Sequence, residues 1–215
     1  MKIASWNVNS VKVRLPHLLD FLKNAQPDAL CLQEIKCLAD EFPRLEVATL
    51  GYKVEALGQR AYNGVAILSK EPPRDIVYGL PGDDGDDQAR YLEATFGPAG
   101  AEVRIASIYL PNGNPSGTDK FTYKLGWMDR LNAHAASLLR REAPFVLAGD
   151  YNVCPTDDDV YDPVGFRDDA LCRIEARARF RSLLYQGLVD AYRVFHREPH
   201  KYTYWDYQEI GRAHV

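Results

Sequence analysis

Short apolar runs, each closing on polar residues, recur along this chain. Ile3, Ala4 and Trp6 lie in an opening strand over Lys2–Val8 that delivers Asn7 and Asn9. Residues 13–24 place Leu15, Leu18, Leu19 and Leu22 at helical spacing, with Pro16 tolerable in a first turn. The run Asp28–Gln33 reads as a buried strand leading into Glu34, and residues 41–49 suggest a short helix. Strands are expected at about 52–56, 63–69, 74–78, 90–96 and 102–110, punctuated by Asn63-Gly64, Pro72-Pro73 and Gly97-Pro98. The longest helical pattern spans 118–142, with Phe121, Leu125, Met128, Leu131, Ala135, Leu138 and Leu139 on one face. Phe145–Ala148 is a fully apolar strand running into Asp150 and Asn152. A helix at about 173–186 and a strand at about 202–206 complete the pattern. Helices mixed with strands buried on both faces predict an α/β fold, with sheets covered by helices.

The 215 residues suit one domain with a sizeable core, read as residues 1–208. With 46% hydrophobic and 26% charged residues, the composition is that of a soluble globular protein. The start, MKIASWNVNS, lacks an apolar run of signal-peptide length, and no stretch approaches the roughly 18 apolar residues of a membrane span. A cytoplasmic protein without a membrane partner is expected. Cys31, Cys37, Cys154 and Cys172 form no CxxC pair and have no histidine at zinc-ligand spacing. Cys31, within an apolar run, reads as a buried reduced thiol.

A net charge of −4 runs against a nucleic-acid binder. A hydrolase that holds a divalent cation needs carboxylates, however, and the acidic runs Asp83–Asp87 and Asp157–Asp159 can sit away from a polyanion. Segment 167–181 sets five arginines against three acids, a local balance of +2. Charge alone decides nothing.

Three buried strands end in the same chemistry: Asn7 and Asn9, then Gln33 and Glu34, then Asp150 and Asn152. Rigid strands can bring such groups to one rim of the sheets. The set is oxygen-rich, without histidine or thiolate, and suits a hard cation such as Mg²⁺ or Mn²⁺. Singly, each residue has a plainer reading as a turn residue or helix cap, Asn9-Ser10 above all. Their repetition after three buried strands favours a site, although spacing names no substrate.

The motifs Trp6-Asn7-Val8-Asn9, Leu32-Gln33-Glu34, Asn63-Gly64-Val65-Ala66, Tyr109-Leu110-Pro111-Asn112, Gly149-Asp150-Tyr151-Asn152 and Thr203-Tyr204-Trp205-Asp206-Tyr207 occur in order. This set resembles the exonuclease III family of abasic-site endonucleases, within the endonuclease/exonuclease/phosphatase superfamily. The resemblance runs from residue 1 to about 208. It implies a four-layer α/β sandwich, two central mixed sheets flanked by helices. It further implies a DNA-repair phosphodiesterase that incises duplex DNA 5′ to abasic sites and trims blocked 3′ ends as a monomer.

The resemblance also assigns roles. Glu34 is the main Mg²⁺ carboxylate, with Asn7 beside it and Asp150 and Asn152 completing the set. Asp150 positions or deprotonates the attacking water, Asn152 holds a phosphate oxygen, and Tyr109 contacts the scissile phosphate. Arg90 and Asn112 become DNA-backbone contacts. Tyr204 forms an aromatic wall for the extruded abasic sugar, and Trp205 packs inside.

The family pattern continues past YWDY with an Arg-x-Asp element and a final Ser-Asp-His element, neither of which is present here. His214 lacks the Ser-Asp before it and receives no role. Residues 209–215, EIGRAHV, can be translated from GAG-ATC-GGA-AGA-GCA-CAC-GTC, which resembles a sequencing-library adapter. A non-native tail, missing closing strands and impaired activity are the expectations. Two other readings stay open: a phosphatase or phosphodiesterase of this fold on a non-nucleic substrate, and a DNA-binding fragment that does not cut.

Overall fold

Each contiguous apolar run of the sequence becomes a strand, and the strands form two four-stranded sheets. The computed structural model describes residues 1–204. One sheet contains β1 (Ile3–Asn7), β2 (Ala29–Gln33), β3 (Lys53–Leu57) and β4 (Val65–Ser69), in the order β1-β2-β4-β3. The other contains β5 (Arg74–Tyr78), β6 (Tyr91–Phe96), β7 (Val103–Tyr109) and β8 (Phe145–Asp150), in sequence order. Both are mixed: β1 pairs parallel with β2 and β7 parallel with β8, while the remaining pairs are antiparallel.

The period-two alternation of side chains sorts β2 between two cores. Leu30 and Leu32 point to one face, where they meet Val11, Leu18 and Leu22 of helix α1 (Val11–Ala25). Ala29 and Cys31 point to the other, with Val65 and Ile67, against Leu92, Ala94 and Ile105 of the second sheet. Helix α1 ends at Gln26, which adopts the left-handed conformation and donates its N–H to the Leu22 carbonyl at 3.2 Å. The two sheets are stitched by buried polar bonds as well, Gln33 Nε2 donating to Ser107 Oγ at 3.1 Å and Ser107 Oγ to the Leu32 carbonyl at 2.9 Å.

By its contacts the chain divides into two units, Met1–Leu110 with Ser137–Tyr151, and Pro111–Ala136 with the chain from Asn152 onward. All eight strands belong to the first, along with α1 and the short α2 (Arg44–Ala48). The second holds most of α3 (Asp119–Leu139), together with α4 (Ile174–Tyr185) and α5 (Ala191–Phe195). Its core gathers Phe121, Cys154, Val160, Ala170, Leu171 and Cys172. Asp129 on α3 and Arg179 on α4 pair at 2.8 Å.

Two mixed sheets flanked by helices are thus observed, as the sequence predicted. Two elements differ: α5 was not anticipated, and the strand expected at about 202–206 does not form across residues 202–204, its remainder lying outside the described residues. So do Trp205, His214 and the tail 209–215. All four cysteines are buried free thiols, and burial pushes Cys31 up to about 12. No helix among the described residues is long and apolar enough to cross a membrane.

Candidate active site

Parallel pairing is what assembles the site. In a parallel pair both strands deliver their carboxyl ends to the same edge, so the β1–β2 register sets Asn7 opposite Gln33, the residue before Glu34. The β7–β8 register likewise sets Tyr109 opposite Asp150. Across the sheets, the Asn7 carboxamide nitrogen donates to Glu34 Oε1 and to Asp150 Oδ2, both at 2.8 Å. Its oxygen accepts from the Asn9 backbone N–H at 3.0 Å, which fixes the orientation of the amide. One carboxamide thereby holds the two carboxylates of the first unit's site on a common donor.

The backbone around Glu34 is unusual. Glu34 and Lys36 have φ of 53° and 52°, and Asn9 has 42°, in the left-handed region that non-glycine residues seldom occupy. The surrounding bonds over-determine this turn: Ser10 N–H donates to the Glu34 carbonyl at 2.7 Å and Ile35 N–H to the Gly64 carbonyl at 3.1 Å. Such strained positions cluster at functional sites.

Electrostatics divides the site into acceptors and donors. Burial alone would raise the Glu34 carboxyl. Hydrogen bonds from Asn7 and Lys36, the Lys36 charge and the Tyr109 hydroxyl outweigh it and hold the group below the usual glutamate value. The Tyr109 phenol moves the other way. Burial raises it first, and the nearby negative charges of Glu34 and Asp150 raise it further, so it stays a protonated donor. Arg90 stacks its guanidinium 4.8 Å from the Tyr109 ring centroid and anchors its Nε on Gln88 Oε1 at 2.7 Å.

The sequence candidates therefore fall into two groups. Asn7, Glu34, Tyr109, Asp150 and Arg90 come together in the first unit. In the second, Asn112 Nδ2 donates to Asn152 Oδ1 at 3.3 Å, and Asn152 is left-handed at φ 45°. Tyr204 is 41% exposed at the end of the described chain. The arginines of segment 167–181 are largely engaged: Arg173 with Asp168 and Glu175, Arg177 with Asp157, and Arg179 with Asp129. A charge balance taken within the segment omits Asp157 and Asp129, which lie outside it.

Sequence reasoning missed two lysines. Lys36 pairs with Glu34 Oε2 at 2.9 Å and donates to Asn9 Oδ1. Lys124 is wholly buried in the second unit. Its signal was present in the sequence, since it falls on the Phe121–Leu125–Met128 apolar stripe where a charged residue is out of place.

Among the described residues no three His, Cys, Asp or Glu side chains come together as a metal-binding group. Glu34 and Asp150 with the Asn7 amide nevertheless fit a hard cation that keeps most of its waters, since such ions bind through one or two carboxylates.

The family model described as the endonuclease/exonuclease/phosphatase family matches residues 4–213. The chain belongs to that family. Within the endonuclease/exonuclease/phosphatase family its likeness is to the exonuclease III and abasic-site endonuclease branch, as the motifs indicated. It is 30% identical to exodeoxyribonuclease III of Haemophilus influenzae, over 98% of this chain and 82% of that protein. An AP endonuclease from Archaeoglobus fulgidus superposes with a TM-score of 0.89 at 34% identity, over 98% of this chain and 80% of that one. The 3′ phosphatase NExo from Neisseria, solved bound to a product DNA hairpin, superposes with a TM-score of 0.90 at 38% identity and the same coverage.

Proposed function

We propose that this member of the family is a Mg²⁺-dependent (or Mn²⁺-dependent) phosphodiesterase of DNA repair, cutting duplex DNA 5′ to abasic sites and trimming blocked 3′ ends. The observation that carries the reading is the Asn7 carboxamide bound at once to Glu34 and Asp150. It joins a cation-binding carboxylate to a water-activating one. When bound at Glu34 beside Asn7, the cation supplies positive charge to the phosphate oxygens.

The protein residues do the rest. Asp150, held by Asn7, orients the attacking water and takes its proton. Tyr109, kept protonated by burial and by its carboxylate neighbours, donates its O–H to a phosphate oxygen as charge develops there. Asn152 donates an amide hydrogen to a phosphate oxygen, and Asn112, whose Nδ2 lies 3.3 Å from Asn152 Oδ1, contacts the DNA backbone. Arg90 takes a flanking backbone phosphate in charge-assisted hydrogen bonds. Tyr204 walls the pocket for the extruded sugar. An abasic nucleotide costs less to unstack than a paired one, and this selects the lesion. The protein acts as a cytoplasmic monomer.

The test is incision of an end-labelled duplex with one abasic site, beside an undamaged duplex and a small aryl phosphodiester, in Mg²⁺ and in EDTA. Mg²⁺-dependent cutting 5′ to the lesion is expected. Turnover of the small diester without cutting of abasic DNA would move the assignment to a non-nucleic substrate. DNA binding with no turnover of either would leave a binding protein.

A further inference from the structure

Lys124 is fully buried, and three backbone carbonyls hold its ammonium. Nζ donates to the carbonyls of Asn112 at 2.9 Å, Asn152 at 2.5 Å and Ala170 at 3.1 Å. Three donors matched to three acceptors describe a protonated amine, because a neutral one has only two N–H bonds. A buried charge is costly unless such bonds offset it, so a lysine in this place is there for what it fixes.

It fixes three loops of the second unit. One carries Asn112, one carries Asn152 and the third runs through Ala170. Further bonds tie the same loops: Asn114 Nδ2 donates to Asp169 Oδ2 at 2.9 Å, Ala170 N–H to Asn114 Oδ1 at 2.9 Å, and Cys154 N–H to the Leu171 carbonyl at 2.9 Å. Room for the lysine stem comes from Gly113, where an added Cβ would stand 2.6 Å from Lys124 Cδ. The ammonium also captures the carbonyl of Asn152, whose φ of 45° needs outside support.

We infer that Lys124 is a positioning residue for the phosphodiester reaction, a buried charge that sets the loops carrying Asn112 and Asn152 so that their two amides meet the DNA backbone together. The inference rests on the proposed reading of those two asparagines as DNA-backbone contacts. A donor displaced by about 1 Å costs on the order of 100-fold in rate, because the interaction is fully made only in the transition state. Substrate affinity, spread over many backbone contacts, moves less.

The experiment compares the steady-state kinetics of the wild type, Lys124→Met and Lys124→Arg on an abasic duplex, with Leu183→Ala, a buried position on α4 outside these loops, as a control that lowers stability in the same unit. Cutting by the wild type tests the functional reading; if it fails, that reading falls, while amide exchange in the loops still tests the positioning. Lys124→Met is expected to fold, to lose about 100-fold in kcat with KM within about twofold, and to exchange amides at 112–114 and 152–154 at least tenfold faster. Leu183→Ala is expected to keep its kcat below its melting temperature. If Lys124→Met does not fold, Lys124→Arg decides: its planar fork keeps the charge but cannot address three converging carbonyls, so kcat falls about tenfold in a folded protein. Wild-type kcat in a folded Lys124→Met or Lys124→Arg, unaltered loop exchange, or a loss that merely tracks stability as in Leu183→Ala would overturn the inference.

Discussion

Lys36 and Glu34 face each other as an ion pair of 2.9 Å on a turn where both residues are left-handed. The pair sets a lysine against the very carboxylate assigned to the cation, so the two positive charges compete for Glu34. Removing the lysine charge with Lys36→Met should tighten Mg²⁺ binding by roughly 1 kcal/mol, about fivefold, a modest value because both side chains remain partly solvated. The incision rate as a function of Mg²⁺ concentration checks this. A half-saturation that rises instead would mean that Lys36 supports the cation site rather than opposing it.

Tyr109 is a donor whose proton is held more tightly than in free tyrosine, because burial and two carboxylates disfavour the phenolate. A raised pKa leaves the neutral, donating form populated above pH 10, so Tyr109 should impose no descending limb on the rate up to that pH. Tyr109→Phe should lower kcat about 100-fold with an unchanged pH profile. A limb near pH 10 in the wild type that vanishes in Tyr109→Phe would contradict the assignment.

Gly149 lies opposite Ile108 where β7 and β8 pair, and an added Cβ would sit 2.0 Å from the Ile108 carbonyl oxygen. Backbone is the obstacle, so no side chain can swing away. Gly149→Ala should cost about 3 kcal/mol or displace β8, and the displacement would carry Asp150 with it. Thermal melting and incision rate should therefore fall together, the latter by more than about tenfold.

Asp28 ties the start of β2 to the chain entering β1. Its Oδ2 accepts from the Lys2 backbone N–H at 2.6 Å and its Oδ1 pairs with Lys70 at 3.1 Å. The backbone bond first, then Lys70, lowers its carboxyl below the ordinary 3.8. A depressed folded pKa stabilises above the unfolded value and is lost as pH falls through the folded one. With the side chain 40% exposed, the contribution is at most about 1 kcal/mol after screening. Asp28→Asn should therefore lower stability at pH 7 by that amount, and the loss should shrink as pH falls below the ordinary aspartate value; a loss that stays equal as the pH falls would refute the linkage.

The sequence told most where an apolar run met a polar stop. β1, β2 and β8 were legible from their apolar runs, and Asn7, Glu34 and Asp150 followed from their ends, although only β2 is buried throughout while β1 and β8 are partly exposed. Parallel pairing, which brings those ends together, was not legible, since it depends on partners distant in sequence. The short helix Ala191–Phe195 carries only an Asp190 cap, accepting from the Tyr192 and Arg193 N–H groups, and five residues are too few for periodicity to register. Helix α2 begins only after Pro43, later than the apolar spacing suggested. At 202–204, Tyr and Thr carry strand propensity, but propensity forms a strand only where a partner edge is present. Lys36 escaped notice because a lysine stem hides where its ammonium will lie, whereas Lys124 was signalled by its place on an apolar stripe.

The division of labour at the Asn7 bridge is tested most directly by single-turnover cutting of an abasic duplex across Mg²⁺ concentrations, with Glu34→Gln and Asp150→Asn beside the wild type. Glu34→Gln should raise the Mg²⁺ half-saturation at least tenfold, and Asp150→Asn should raise it by less while lowering the saturated rate about 100-fold or more. Wild-type rate and Mg²⁺ dependence in either variant would contradict the account.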